Sequence, residues 1–242
     1  MKILLLGYGK MGKLIGELAE KRGHKIVAKI SIDNVHELDS LDSSKIDVAI
    51  EFSQPESAVS NIIWATERSI PVVSGTTGWL NEWEKVTGLV HEKNGTLFYA
   101  SNFSIGVNIF FKANEYLAKL MNETVGYNAS IKEIHHTAKL DAPSGTAITT
   151  AEGIINNHDE YDHWALTEGQ SQKPNSLKIH HERIDPTPGT HIVTYNSAID
   201  QIELSHVAHS REGFVKGAVL VAEWIQDKKG VLSMNDFLSF EI

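Results

Sequence analysis

Gly7-Tyr8-Gly9-Lys10-Met11-Gly12 follows the apolar run Ile3-Leu4-Leu5-Leu6 and opens onto a helical pattern. A G-x-G-x-x-G between a strand and a helix restricts a fold strongly, because each glycine answers a separate steric demand. Gly7 permits the tight turn, Gly9 lets a pyrophosphate approach the backbone, and Gly12 lets helix and strand pack closely. The free N–H groups of the helix start would face the phosphates. Gly7, Tyr8, Gly9, Lys10, Met11 and Gly12 are therefore candidate dinucleotide contacts. The competing reading is a structural glycine turn with no ligand.

The chain behind this loop keeps alternating. Met11, Leu14, Ile15, Leu18 and Ala19 recur at helical spacing up to Arg22, and Gly23 suits a helix end. Lys25 to Ile30, Ile46 to Phe52, Pro71 to Ser74 and Thr96 to Ala100 read as further strands, and Gln54-Pro55-Glu56 opens another helix. Strands alternating with helices predict an α/β, Rossmann-type domain with a parallel sheet covered on both faces. Ser31, just past the second strand, stands where ribose hydroxyls should be met, with Asp33 two residues on. Asp33 either reaches the ribose or is a loop carboxylate. Gly75-Thr76-Thr77-Gly78 follows the fourth strand, where such loops line a ligand crevice, or it is an ordinary turn.

After Ser104 the pattern changes. Val107 to Met121 is helical. Ala129 to His135, Leu177 to Arg183, Thr190 to Tyr195 and Gln201 to Ala208 alternate as strands, with turn signals such as Pro186-Thr187-Pro188-Gly189 between them. They predict a second, α+β domain on a mostly antiparallel sheet. His158 to Ser176, with Gly169 and Pro174, reads as a long loop, and Gly213 to Lys228 returns to helical spacing. The expected division is residues 1–104 with 213–242, binding dinucleotide, and residues 105–212. Hinges are expected near Phe103-Ser104 and Arg211–Gly213.

Composition narrows the function. No cysteine among 242 residues removes disulfides, thiolate zinc sites and a cysteine nucleophile. A formal net charge of -9 disfavours a nucleic-acid partner, which needs a basic surface. No run approaches the roughly 18 apolar residues of a membrane helix, and the apolar start is too short for a signal peptide, so a cytoplasmic protein is expected. His180-His181, His206 and His209 lie on or beside strands without ligand spacing, and no metal site is expected.

The densest chemistry is Ile134-His135-His136-Thr137-Ala138-Lys139-Leu140-Asp141-Ala142-Pro143-Ser144-Gly145-Thr146. Histidine suits acid–base work near neutral pH, and lysine can donate a proton or hold a carboxylate. Successive residues of a strand face opposite sides, so His135 and His136 share one site only if the backbone turns. Ser144 is the expected N-cap of a helix from Ala147 to Ile155. That leaves the N–H groups of Gly145 and Thr146 as an anion site. The bland alternative is a solvated turn before a capped helix.

With Glu133 in front, this run resembles the E-x-H-H-x-x-K-x-D-A-P-S-G-T signature of the bacterial dihydrodipicolinate reductases. Gly75-Thr76-Thr77-Gly78 and Asn102-Phe103-Ser104-Ile105-Gly106-Val107-Asn108 agree with that family in order and spacing, and the resemblance spans essentially the whole chain. It implies NADH- or NADPH-dependent reduction of 4-hydroxy-tetrahydrodipicolinate in lysine and diaminopimelate biosynthesis. His135 is implied as the acid–base group and Lys139 as the proton donor. His136, Ser144, Gly145 and Thr146 are implied to hold a small dicarboxylate, and Gly75, Thr76, Thr77, Ala100, Ser101, Asn102 and Phe103 the nicotinamide half. A homotetramer built through the second domain is also implied. Two departures concern the cofactor. The glycine loop is the compact form, whereas some members carry one more residue. Ser31-Ile32 lacks the acid, and the following arginine, that members use to choose a cofactor. The rival readings are another two-domain dehydrogenase, which the uninterrupted signature opposes, and a non-catalytic redox sensor, which would not need the acid–base cluster.

Overall fold

The computed structural model describes residues 1–167, 173–210 and 212–239. In chain order they form β1 (Lys2–Leu6), α1 (Lys10–Lys21), β2 (Lys25–Ile30), β3 (Val48–Glu51), α2 (Pro55–Glu67), β4 (Val72–Ser74), α3 (Trp83–Glu92) and β5 (Thr96–Tyr99). Then follow α4 (Ile105–Asn122), β6 (Asn128–His135), α5 (Gly145–Ile155), β7 (His163–Leu166), β8 (Ser176–Arg183), β9 (Gly189–Asn196) and β10 (Gln201–Ala208). The last elements are α6 (Glu212–Trp224), β11 (Gly230–Leu232) and α7 (Met234–Leu238). The chain divides into two compact units, Met1–Ser104 with Phe214–Ile242, and Ile105–Gly213.

The first unit holds a six-stranded sheet in the order β11-β5-β4-β3-β1-β2, every pair parallel. β1 shows why its sequence is apolar throughout. Ile3 and Leu5 pack on one face with α1 and α6, through Ile15, Ala19, Ala218 and Ala222. Leu4 and Leu6 pack on the other with α2 and α3, through Ala58, Ile62, Val86 and Val90. A strand covered on both faces has no polar phase, and each such side chain removed from water contributes about 1.5–3 kcal/mol. The chain leaves β1 for β2 on one side and returns past it to β3, so the strand order reverses at β1. In open parallel sheets that point opens a crevice at the carboxyl ends of the strands.

The second unit's sheet runs β10-β9-β6-β8-β7. β10-β9-β6 is antiparallel, and β6-β8-β7 is parallel, with α5 in the β6-to-β8 crossover. The sheet is thus mixed. Parallel neighbours require a long connection, and α5 with the segment after it supplies one. β7 lies inside the stretch expected as a loop. Its four residues sit on a sheet edge, too short for periodicity to register. The part of that stretch at residues 168–172, including Gly169, lies outside the described residues, as does Arg211 of the expected hinge. α4 and α5 pack on this sheet through Phe110, Ala118, Ala147, Ala151 and Ile154 against Ile131, Ile179, Val193 and Tyr195. Among the described residues no helix is long and apolar enough to cross a membrane.

Candidate active site

In the first unit the glycine loop is built by close approach. Gly7 has φ +94°, and a Cβ there would lie 2.1 Å from the Phe52 carbonyl oxygen. A Cβ on Gly12 would lie 2.0 Å from the Gly7 oxygen. Both glycines are required by protein alone. At Gly9, the N-cap of α1, a Cβ would meet nothing within 4 Å. The loop is therefore tightly packed behind and open at Gly9, which fits a pyrophosphate lying against its backbone and the N–H groups of Lys10 and Met11. The Tyr8 ring packs with the core and carries the Lys29 ammonium 5.0 Å above it.

The other residues expected around a cofactor fall into two groups. Thr76 is buried, and its hydroxyl is used internally: it donates to Glu51 at 2.9 Å and accepts from the Ser53 N–H at 2.8 Å. Ser74 also donates to Glu51, at 2.8 Å, so this buried carboxylate ties the loop after β3 to the loop after β4. Gly75 is seated on the Phe52 ring, where a Cβ would come within 2.3 Å. Phe103 packs in the core against Phe52 and Phe98, Ala100 is buried, and the Asn102 side chain accepts from the Ser104 N–H at 2.9 Å. Thr77 and Ser101 are exposed. Ser31 bonds Asn34 through both its N–H, at 2.7 Å, and its hydroxyl, at 3.2 Å, while Asp33 is exposed.

In the second unit the pleat of β6 decides the site. Ala129, Ile131, Glu133 and His135 form its buried phase. Glu133 pairs across the ladder with His191 of β9, and His135 with Arg183 of β8. Glu133 is wholly buried. Its Oε1 accepts from both terminal nitrogens of Arg183, each at 3.3 Å. Its Oε2 accepts from the Ser144 N–H at 3.0 Å and lies 3.4 Å from His135 Nε2 and 3.9 Å from His191 Nε2. The two imidazoles approach at 3.3 Å, Nε2 to Nε2, and the Ser144 hydroxyl is 3.1 Å from His191 Nε2.

These surroundings set the charges. Burial pushes the Glu133 carboxyl upward, but the His135 and Ser144 hydrogen bonds together outweigh it and hold the group at about 2. His191 is pushed down to about 3, by burial first and then by His135, so it is neutral at physiological pH. A carboxylate and two imidazoles this close also resemble the donor set of a metal centre. Here Arg183 already meets the Glu133 charge.

β6 ends at His135, and the chain leaves the strand there. His136 is half-buried just beyond it. Lys139 forms an ion pair with both oxygens of Asp141, at 2.8 and 2.7 Å, which lowers the Asp141 carboxyl. Arg183 braces this turn by donating to the carbonyls of Lys139 and Asp141. Ser144 caps α5, its hydroxyl accepting from the Ala147 N–H at 3.1 Å. Gly145 and Thr146 are the first two residues of that helix, so their N–H groups have no partner within it. No motif in the sequence marks Arg183, His191 or Glu51 as functional, and Glu133 enters there only as the first residue of the signature. The available signal was a charged or polar residue in the buried phase of an otherwise apolar strand, as with Glu133 between Ile131 and His135, or His191 before Val193 and Tyr195.

Comparison with known proteins identifies the family. Family models described as the N-terminus and the C-terminus of dihydrodipicolinate reductase match residues 1–103 and 106–238. The chain is 47% identical, over 99% of its length and 98% of the relative's, to the 4-hydroxy-tetrahydrodipicolinate reductase of Christiangramia forsetii. It is 37% identical to the same-named protein of Archaeoglobus fulgidus, over 95% of this chain and 96% of that one. The fold is shared with a dipicolinate-bound dihydrodipicolinate reductase from Paenisporosarcina sp. TG-14, with a TM-score of 0.80 at 20% identity over 98% of this chain and 99% of that one. The chain belongs to the dihydrodipicolinate reductase family.

Proposed function

We propose that the first unit binds the dinucleotide and the second binds the dicarboxylate, with His135 and Lys139 as its catalytic groups. The reaction is the NAD(P)H-dependent reduction of 4-hydroxy-tetrahydrodipicolinate to tetrahydrodipicolinate, a step of lysine and diaminopimelate biosynthesis. One observation carries the assignment of roles. The Glu133–His135–His191 cluster and the start of α5 share Ser144, so acid–base groups and anion donors converge on one residue. When bound, the reduced nicotinamide supplies a hydride to the ring carbon freed by loss of water. Gly145 and Thr146 offer N–H donors to one substrate carboxylate. Lys139, paired with Asp141, exchanges that partner for the substrate and delivers the balancing proton. His136 borders the same turn.

On the first unit, Gly7 to Gly12 hold the pyrophosphate, Ser31 and Asp33 stand at the ribose, and Gly75 to Thr77 with Ala100 to Phe103 shape the nicotinamide end. Since Thr76 and Phe103 are committed to the protein, their part is to fix the loops, and Thr77 and Ser101 offer the outward hydroxyls. The second unit's sheet also supports assembly into a homotetramer. β10 is an eight-residue edge strand with Ile202 and Val207 exposed, and such an edge offers unpaired backbone groups to a second chain. Consumption of reduced nicotinamide in biosynthesis supports a cytoplasmic location. The test is oxidation of NADH and NADPH with freshly generated substrate. Turnover is expected with the wild type and is lost in His135→Asn and Lys139→Ala. Full turnover in both variants would remove the proposed roles.

A further inference from the structure

Glu133 constrains where hydrogens can sit in the buried cluster. A carboxylate only accepts, so the His135 nitrogen 3.4 Å from it must present a hydrogen rather than a lone pair. Two imidazole nitrogens 3.3 Å apart cannot both carry a hydrogen along the line between them. His135 Nε2 therefore carries its hydrogen, directed at Glu133, and the His191 nitrogen beside it presents its lone pair. The Ser144 hydroxyl, 3.1 Å from the same His191 nitrogen, already accepts from the Ala147 N–H and has its own hydrogen to give. That leaves His191 with its hydrogen on Nδ1.

The opposite edge of His135 differs. A Cβ on Gly189 would lie 3.1 Å from His135 Cε1 and 3.4 Å from its Nδ1, so the absence of a side chain at 189 keeps this edge clear. The Nδ1 of His191 is buried without a partner among the described residues, whereas the Nδ1 of His135 is not among the sealed, unpartnered atoms.

We propose that His191 is a positioning residue that, with Glu133, locks the Nε2 hydrogen of His135 inward, so that His135 exchanges protons with the substrate through Nδ1. The inference rests on the reductase reading for the substrate, but not for the hydrogens. In each cycle Nδ1 of His135 takes one proton from the ring carbon beside the leaving hydroxyl and passes it to that hydroxyl as water departs, while Lys139 supplies the proton that balances the hydride, so His135 returns to a neutral ring with its Nε2 hydrogen in place. Ser144 joins this anchored edge to the start of α5, because the same residue contacts Glu133, His191 and the first turn of the helix.

Nitrogen-15 NMR of histidine-labelled protein, with His135 and His191 assigned by substitution, reads the hydrogens directly and needs no substrate. The expected result at neutral pH is an Nε2–H form for neutral His135 and an Nδ1–H form for His191. In His191→Leu, the His135 ring should become a mixture of forms and kcat should fall roughly 10- to 100-fold, less than the 10² to 10⁴ lost with an acid–base group itself, because His191 acts through His135. Cofactor affinity should stay unchanged. His191→Gln keeps an acceptor and should recover most of the rate. An Nδ1–H form of His135 in the wild type overturns the inference whatever the variants do. So does wild-type kcat in His191→Leu. If His135→Asn turned over at the wild-type rate, the reductase role of His135 would fail instead, and the NMR forms would still decide how the cluster is wired.

Discussion

The glycine loop after β1 and the polar cluster on β6 meet opposite demands on a backbone. Around Gly7 and Gly12 the protein has removed side chains, because carbonyl groups come within about 2 Å of where a Cβ would stand. Around Glu133 it has buried charge, and every oxygen of that carboxylate is met by a donor from another element. The first device depends on spacing within six consecutive residues. The second depends on register between β6, β8 and β9 and on the start of α5. A loop made by omission tolerates little addition, and a cluster made by pairing tolerates little removal.

Removing Lys139 should give the largest effect. Lys139→Ala is expected to lower kcat by roughly 10² to 10⁴ while leaving cofactor affinity nearly unchanged, since the glycine loop belongs to the other unit. Stopped-flow turnover and cofactor titration check this, and equal losses in both would show the residue misassigned. Arg183→Leu comes next. It strips the Glu133 charge of its cation in a buried site, where breaking a pair costs about 3–5 kcal/mol. Urea unfolding should show a loss near the lower figure, because the histidines and Ser144 remain. A loss below about 1 kcal/mol would mean that Arg183 only braces the Lys139–Asp141 turn.

The contrast between the regions also explains what could be read from the chain alone. The glycine loop was legible because its chemistry is contiguous, and the buried strands around it because β1 is apolar in both phases. The run from His135 to Thr146 was legible for the same reason of contiguity. Glu133, Arg183 and His191 were not, because what makes them a site is which strands are neighbours. A mostly antiparallel sheet would not have placed β8 parallel to β6, and with it Arg183 opposite His135. Thr76 shows the converse. Its position in a crevice loop suggested a ligand contact, while its hydroxyl is spent on Glu51, a residue that only the fold brings near.

Acid titration sharpens the second half of the comparison. His191 binds its proton only near 3 when folded, against an ordinary value of 6.5. The unfolded chain therefore holds more protons between these values, and stability rises with pH there, by at most about 1.4 kcal/mol per pH unit for one site. Glu133, held at about 2 against 4.5, adds a loss of the same sign only below about 4.5. His135, His206 and Lys139 also face His191 and oppose its protonation, and Glu133 favours it. Stability measured from pH 6.5 to pH 5 should fall on acidification, and the slope should flatten in His191→Leu. An unchanged slope would mean that His191 is not buried neutral.

The smallest effect concerns the cofactor. Ser31 is tied to Asn34, and Ile32 is 90% exposed, so neither repels nor attracts a 2′-phosphate. NADH and NADPH should differ in kcat/KM by less than about a hundredfold, since one ribose contact is worth a few kcal/mol at most. Ser31→Asp should move preference toward NADH by about tenfold. A wild-type preference above about a thousandfold would show a selecting residue elsewhere, with Lys29 above Tyr8 the first to replace.

The central claim is that the start of α5 receives a substrate carboxylate beside the Glu133–His135–His191 cluster. A crystal soaked with pyridine-2,6-dicarboxylate, a planar mimic that cannot be productively reduced, tests it most directly. One carboxylate should lie about 3 Å from the Thr146 backbone nitrogen, and Thr146→Pro, which removes that donor but suits a helix start, should weaken the inhibitor and substrate together. An inhibitor bound far from this helix start, or bound at full strength to Thr146→Pro, would contradict the account.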